Sequence, residues 1–130
     1  MMDALRFALV LATLYAAHSV ADHWIQTNGQ AVTKGQCEHG RATRAGLLAL
    51  AGHVLTHTAT LAVVLAVIAI RFPGLDWSPA AMAAGLVVNA ASHAWADHRP
   101  NLRKLAHAVG KGSYYESPGG AYQLDQAWHL

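Results

Sequence analysis

Residues 45–70 read AGLLALAGHVLTHTATLAVVLAVIAI, a run with no Asp, Glu, Lys or Arg that still carries His53 and His57. It is longer than the roughly 20 residues that cross a hydrocarbon core. An ionisable side chain at that depth costs energy and marks a functional position by default. The two histidines are four apart, so on a helix both leave from one face. A spanning helix with a polar spot on one face is therefore the starting point for the fold.

Two further runs flank it. Residues 7–21 and 77–96 also lack all four charged types, and each leads into a pair of the same spacing, His18…Asp22 and His93…Asp97. Both sit in the pattern HxxADH, as His18-Ser-Val-Ala-Asp22-His23 and His93-Ala-Trp-Ala-Asp97-His98. Asp125…His129 repeats the spacing at the C-terminus. A secretory signal peptide is the alternative for the first run. It is disfavoured because the polar pair after it recurs on a later helix.

These runs predict an all-α integral membrane bundle in one domain, residues 1–130. Its transmembrane helices are 4–26, 45–71 and 78–98, with an interfacial helix 101–109 and a C-terminal helix 121–130 that docks back. Phe72, Pro73 and Gly74 stop the second helix, and Ser78 before Pro79 is a cap and first-turn signal for the third. Asn101 is the expected cap of the interfacial helix. Its Leu102, Leu105, Ala106 and Val109 form one stripe opposite Arg103 and Lys104, the pattern of a helix lying on an anionic membrane surface. Residues 28–44 and 110–120 read as loops. Ala81, Gly85 and Asn89 make a small-residue face suited to close helix packing, including a homo-oligomer through Ala81 and Gly85.

Charge sets the expected orientation. Lys34, Arg41, Arg44, Arg99, Arg103, Lys104 and Lys111 fall on one side of a three-span chain, and only Arg6 and Arg71 on the other. The positive-inside bias then puts the N-terminus outside and the tail in the cytoplasm, in a bacterial inner membrane. All three helical pairs land in the cytoplasmic half. Net charge is only +2 and its basic residues form no stripe, so a nucleic-acid partner is not expected. The lone Cys37 allows neither an intrachain disulfide nor a CxxC metal motif.

Neutral imidazole with carboxylate suits zinc, with iron or manganese as alternatives. The expected ligands are His18, Asp22, His53, His57, His93, Asp97, Asp125 and His129, enough for one or two ions per chain. Asp22, Asp97 and Gln26 are the candidate catalytic groups. Gln26, Asn89, His23 and His98 are the candidates for orienting ligands by hydrogen bonds. His39 and His107 read as solvated. A metal-free His/Asp proton relay fits the same residues.

The ordered set His18-x3-Asp22-x3-Gln26-Thr27, His53-x3-His57, His93-x3-Asp97 and Asp125-Gln126-x2-His129 resembles a catalogued bacterial domain family of unknown function. Its members are small polytopic membrane proteins found also in mobile elements and phage. The resemblance covers nearly the whole chain and implies the helical membrane fold and the polar cluster. A looser similarity, in the spacing of His and Asp on membrane helices, is to predicted membrane-bound metal-dependent hydrolases, from whose pattern His23 and His98 depart. The functional expectation is a metal-dependent hydrolase acting on a lipid-like or amphipathic substrate at the cytoplasmic leaflet. The alternatives are a metal-dependent oxidoreductase, a metal or proton carrier, and a small membrane partner protein with a structural metal.

Overall fold

The computed structural model describes residues 1–38 and 41–129; His39 of the expected solvated loop and Leu130 of the tail lie outside them. Helix α1, Met2–Val20, continues into a π turn, Ala21–Ile25. A short α2, Asn28–Thr33, leads to a small hairpin of β1, Cys37–Glu38, and β2, Arg41–Ala42. The long α3, Arg44–Arg71, and α4, Pro79–Asp97, are joined through a 3-10 turn, Pro73–Leu75. Then come α5, Arg99–Ala108, α6, Gly112–Tyr115, and α7, Gly120–His129. Apart from the hairpin, the regular structure of the described residues is helical. The chain groups into two compact units, Met1–Thr27 with His53–Ala90 and Asn28–Gly52 with Ala91–Leu130.

In the first unit, His53, His57, Leu61, Leu65 and Ile68 of α3 are all buried. They recur at three- and four-residue steps, so they form one helix face. Leu55, Val63, Val67 and Ile70 of the same helix are exposed, as are Leu5, Phe7, Leu11 and Tyr15 of α1. Among the described residues two helices, Met2–Ile25 and Arg44–Arg71, are long and apolar enough, by length and composition, to cross a membrane. The third expected span, 78–98, does not pass the same test of length and composition. Helix α4 has 19 residues, is built largely of alanine, and carries Asn89, Ser92 and His93. Alanine contributes little apolar surface per turn, so these polar groups tip the balance.

The expected cap of α4 is present: the Ala81 N–H donates to Ser78 Oγ at 3.3 Å. Arg6 has a role that counting it as an outer-side charge does not include. Its guanidinium donates to the carbonyls of Leu75 and Asp76 at 3.0 and 2.6 Å and pairs with Asp3 at 2.6 Å. It so fastens the turn between α3 and α4, where Asp76 takes a left-handed φ of 52°.

The second unit differs from the expected loops. Residues 28–44 hold α2 and the hairpin, and Thr43 caps α3 by accepting from the Gly46 N–H at 3.0 Å. Helix α5 starts at Arg99, with Pro100 in its first turn, where a missing N–H costs nothing. Asn101 is therefore inside the helix, not its cap, and its Nδ2 donates to the Trp95 carbonyl at 3.2 Å. The helix ends where Gly110 takes φ 75°. There the Lys111 N–H reaches Ala106 O at 2.7 Å and the Gly110 N–H reaches His107 O at 3.1 Å, a Schellman closure.

The apolar stripe of α5 does not await a membrane. Leu102 and Ala106 are buried with Tyr115, and Ala121 and Leu124 pack on them. Only Val109 of that stripe is exposed. The expected loop 110–120 contains α6 because Tyr115 has a core to enter.

Gly35 and Gly85 make a contrasting pair. Gly35 has φ +80°, and a Cβ there would meet Arg99 Cγ at 2.6 Å, whereas nothing lies within 4 Å of one at Gly85. Gly35→Ala is expected to lower stability by about 1–2 kcal/mol through left-handed backbone strain, more if Arg99 cannot shift. Gly85→Ala is expected to be neutral or to gain up to about 1 kcal/mol of helix propensity. Thermal unfolding in detergent checks both; equal effects would contradict the two environments.

Candidate metal centre

Helix α1 and its π turn bring His18 and Asp22 to the buried face of α3. The Asp22 side chain is only 5% exposed and sits among three imidazoles. Its Oδ2 is 3.1 Å from His18 Nε2, and its Oδ1 is 3.4 Å from His53 Nε2 and 3.8 Å from His57 Nε2. His57 Nε2 also lies 3.1 Å from His18 Nδ1, with the rings edge-on at 4.4 Å. His18, Asp22 and His57 each offer a ligand atom within 4.8 Å of the others. Bonds of roughly 2.0–2.1 Å to a tetrahedral zinc put ligand atoms about 3.3–3.4 Å apart. The observed separations, taken over both Asp22 oxygens and both His18 nitrogens, span that length, and the buried donors could hold a metal ion.

The second unit holds the other pairs. Asp97 Oδ2 is 3.2 Å from His93 Nε2. Lys34 Nζ donates to both Asp97 oxygens, at 2.8 and 2.9 Å. The His129 ring stacks on His93 with centroids 4.2 Å apart, and its Nδ1 is 4.0 Å from Asp125 Oδ1. Asp97, Asp125 and His129 also place ligand atoms within 4.8 Å of one another. Any cation taking Asp97 here meets an ammonium already bridging its oxygens.

The sequence-derived residues thus fall into a set in the first unit, His18, Asp22, His53 and His57, and one in the second, His93, Asp97, Asp125 and His129. Gln26 does not extend the His18/Asp22 face by another helical turn. The π turn ends on it, with Gln26 N–H bonded to Ala21 O at 2.9 Å and ψ at 126°. Its amide nitrogen is nonetheless buried with no hydrogen-bond partner among the described residues, as is the amide oxygen of Asn89. His23 is exposed and donates from Nδ1 to the Ser19 carbonyl at 2.9 Å, which turns it onto its own helix. His98 is half-buried and sits at the start of α5. His107 is exposed and bonded to Glu116 at 3.2 Å. The residue that sequence reasoning misses is Lys34. In the sequence it is one of seven orienting charges, and no local pattern links it to an aspartate 63 positions away.

Comparison with protein-family models, with curated proteins and with solved structures finds no match. The site's own geometry carries its interpretation.

Lys34 and Asp97 are 13% and 1% exposed at their side chains, a buried ion pair. Removing one partner strands the other charge, so Lys34→Met is expected to cost about 3–5 kcal/mol of stability. The double variant Lys34→Met/Asp97→Leu is expected to recover most of that loss. A double-mutant cycle of thermal unfolding in detergent checks it; additive losses would show that the pair does not stabilise the fold.

Proposed function

We propose that the protein is an integral membrane metal-dependent hydrolase whose metal set is His18, Asp22, His53 and His57. Asp22 is the observation that carries it: one buried carboxylate lies within 3.8 Å of three buried imidazole nitrogens on two apolar helices. Insertion in a bilayer is supported by the long apolar α1 and α3 and by their exposed Leu, Val, Ile and Phe side chains, which water would not tolerate as a large patch. The proposed setting is a bacterial inner membrane, with the N-terminus outside, the tail cytoplasmic and α4 as a third, weakly apolar span.

A bound divalent ion, zinc first with iron or manganese as alternatives, would supply Lewis acidity and bring the pKa of a water toward neutrality. The chain's own groups do the rest. His18, His53 and His57 would offer ring nitrogens as ligands. Asp22 has two oxygens on different partners, so one would be a ligand to the ion and the other would be free to accept a proton from water. The buried Gln26 amide is available to orient a substrate carbonyl or phosphoryl oxygen. Asp97, bridged by Lys34, fixes the ring of His93, the arrangement that lets an imidazole pass a proton. Asp97, Asp125 and His129 form the proposed second metal set. The substrate in this reading is lipid-like or amphipathic, drawn from the cytoplasmic leaflet.

The Lys34–Asp97–His93 chain favours a second reading, a metal-free proton relay, because its carboxylate already has a cation.

Elemental analysis of detergent-purified protein separates the two. About one or two transition-metal ions per chain are expected, with Asp22→Ala losing at least roughly tenfold in metal affinity and His107→Ala none. Protein that carries no metal and binds none when it is added would leave the relay standing and overturn the hydrolase. Orientation has its own test in the exposed thiol of Cys37. An impermeant thiol reagent is expected to label it in inverted vesicles and not in intact cells. Labelling in intact cells would reverse the topology.

A further inference from the structure

The second unit contains an open cleft of about 970 Å³ that the proposed metal chemistry does not use. That is the size of a small-molecule site. One wall is the outward face of α5, with Arg99, Arg103, Lys104 and His107; Gly35–Glu38 and the Tyr115–Glu116 corner face it. The cleft is therefore bordered by three permanent cations.

Their environments are specific. Arg99 is pressed onto Gly35, so close that a Cβ there would overlap its side chain, and this places the guanidinium stem beside the β1 loop. Arg103 donates from Nε to Glu116 Oε1 at 2.6 Å, and His107 Nε2 lies 3.2 Å from the same oxygen. These bonds hold the Glu116 carboxyl below its ordinary range, Arg103 contributing most, and push Arg103 up. Glu116 thus spends its charge on Arg103 and His107. Among the described residues the Arg99 and Lys104 side chains have no ionic partner, and Glu38 is the one other acid on the wall. The site is a positive cleft with aliphatic stems, Pro100 and the Tyr115 ring between its charges.

We propose that this cleft binds a phosphate ester, the headgroup of an anionic phospholipid, through Arg99 and Lys104. Guanidinium offers the forked donors that match phosphate oxygens, and lysine adds a mobile point charge. The mixed lining suits an amphiphile better than a bare anion. The chain's apolar α1 and α3 place lipid within the protein's reach on the proposed topology. The proposal needs no metal and survives if the hydrolase reading fails.

The test uses full-length protein in a non-ionic detergent. Dihexanoyl phosphatidylglycerol, dihexanoyl phosphatidylcholine and glycerol 3-phosphate are titrated separately by calorimetry. The phosphatidylglycerol is expected to bind at least about tenfold more tightly than the zwitterionic lipid, the scale of one charge-assisted hydrogen bond. Arg99→Gln/Lys104→Gln keeps the aliphatic stems and is expected to lose that preference, with an unchanged melting temperature; Arg99→Lys in an otherwise native chain is expected to retain most of it. Glycerol 3-phosphate binding as tightly as the lipid would support the phosphate-ester site and overturn the lipid as its source. Absence of binding, equal binding of both lipids, or full binding by the double variant would each overturn the proposal.

Discussion

Asp22 is a carboxylate that follows Val20 and Ala21 at the end of an apolar helix, and its burial constrains the first unit more than any other feature. An isolated carboxylate moved out of water costs more than the roughly 5–15 kcal/mol by which a whole domain is stable. Three imidazoles at 3.1–3.8 Å offset that cost, but they come from two helices that must meet at one level. Helix α3 arranges this through its periodicity. His53 and His57 continue the face formed by Leu61, Leu65 and Ile68, so the packing that buries the leucines also aims the histidines inward. The apolar core and the polar cluster are one stripe.

The π turn at Ala21–Ile25 belongs to the same problem. Such turns are rare, occur mostly as single turns within α-helices, and are frequent at functional sites. Here the wider turn begins one residue before Asp22. It ends α1 so that Gln26 leaves the helix with its amide buried, while His23 is turned out onto the Ser19 carbonyl. Two neighbours of the Asp22 motif are thus sorted to opposite environments by a single irregular turn.

Periodic and local features are legible in the sequence. Spacing of four puts His18 with Asp22, His53 with His57, and His93 with Asp97; the absence of charge marks α1, α3 and α4; and Ser78 before Pro79 signals the start of α4. Features that depend on distant chain meeting distant chain are not legible. Lys34 bridging Asp97, Arg6 holding the Leu75 and Asp76 carbonyls, and Tyr115 filling the space beside Leu102 all arise from tertiary contact. The π turn has no composition signal, since Ala21–Ile25 reads as ordinary helix. The stripe on α5 is plain in the sequence and its partner is not, because periodicity says that a face will be covered and not by what. Lipid and the protein's own α6 and α7 satisfy the same pattern.

The tail is ordered by protein contacts in the same way as α5. Ten residues of α7 would not hold a helix alone in water. Metal ligation by Asp125 and His129 is one way to order them, yet the contacts in place need no ion. Leu124 joins the Leu102 cluster, Trp128 lies tilted against Trp95 with ring centroids 4.8 Å apart and donates to Ser92, and His129 stacks on His93. Aromatic pairs of this kind contribute about 0.5–1.5 kcal/mol each beyond their burial. The order runs from packing to ligand geometry: the tail is docked first, and docking brings Asp125 and His129 to Asp97. An ion arriving there would not have to order the helix as well, which otherwise costs about 1–2 kcal/mol for every residue fixed. Lys34 acts to the same end from the other side, neutralising Asp97 so that the carboxylate can be buried before any metal is present.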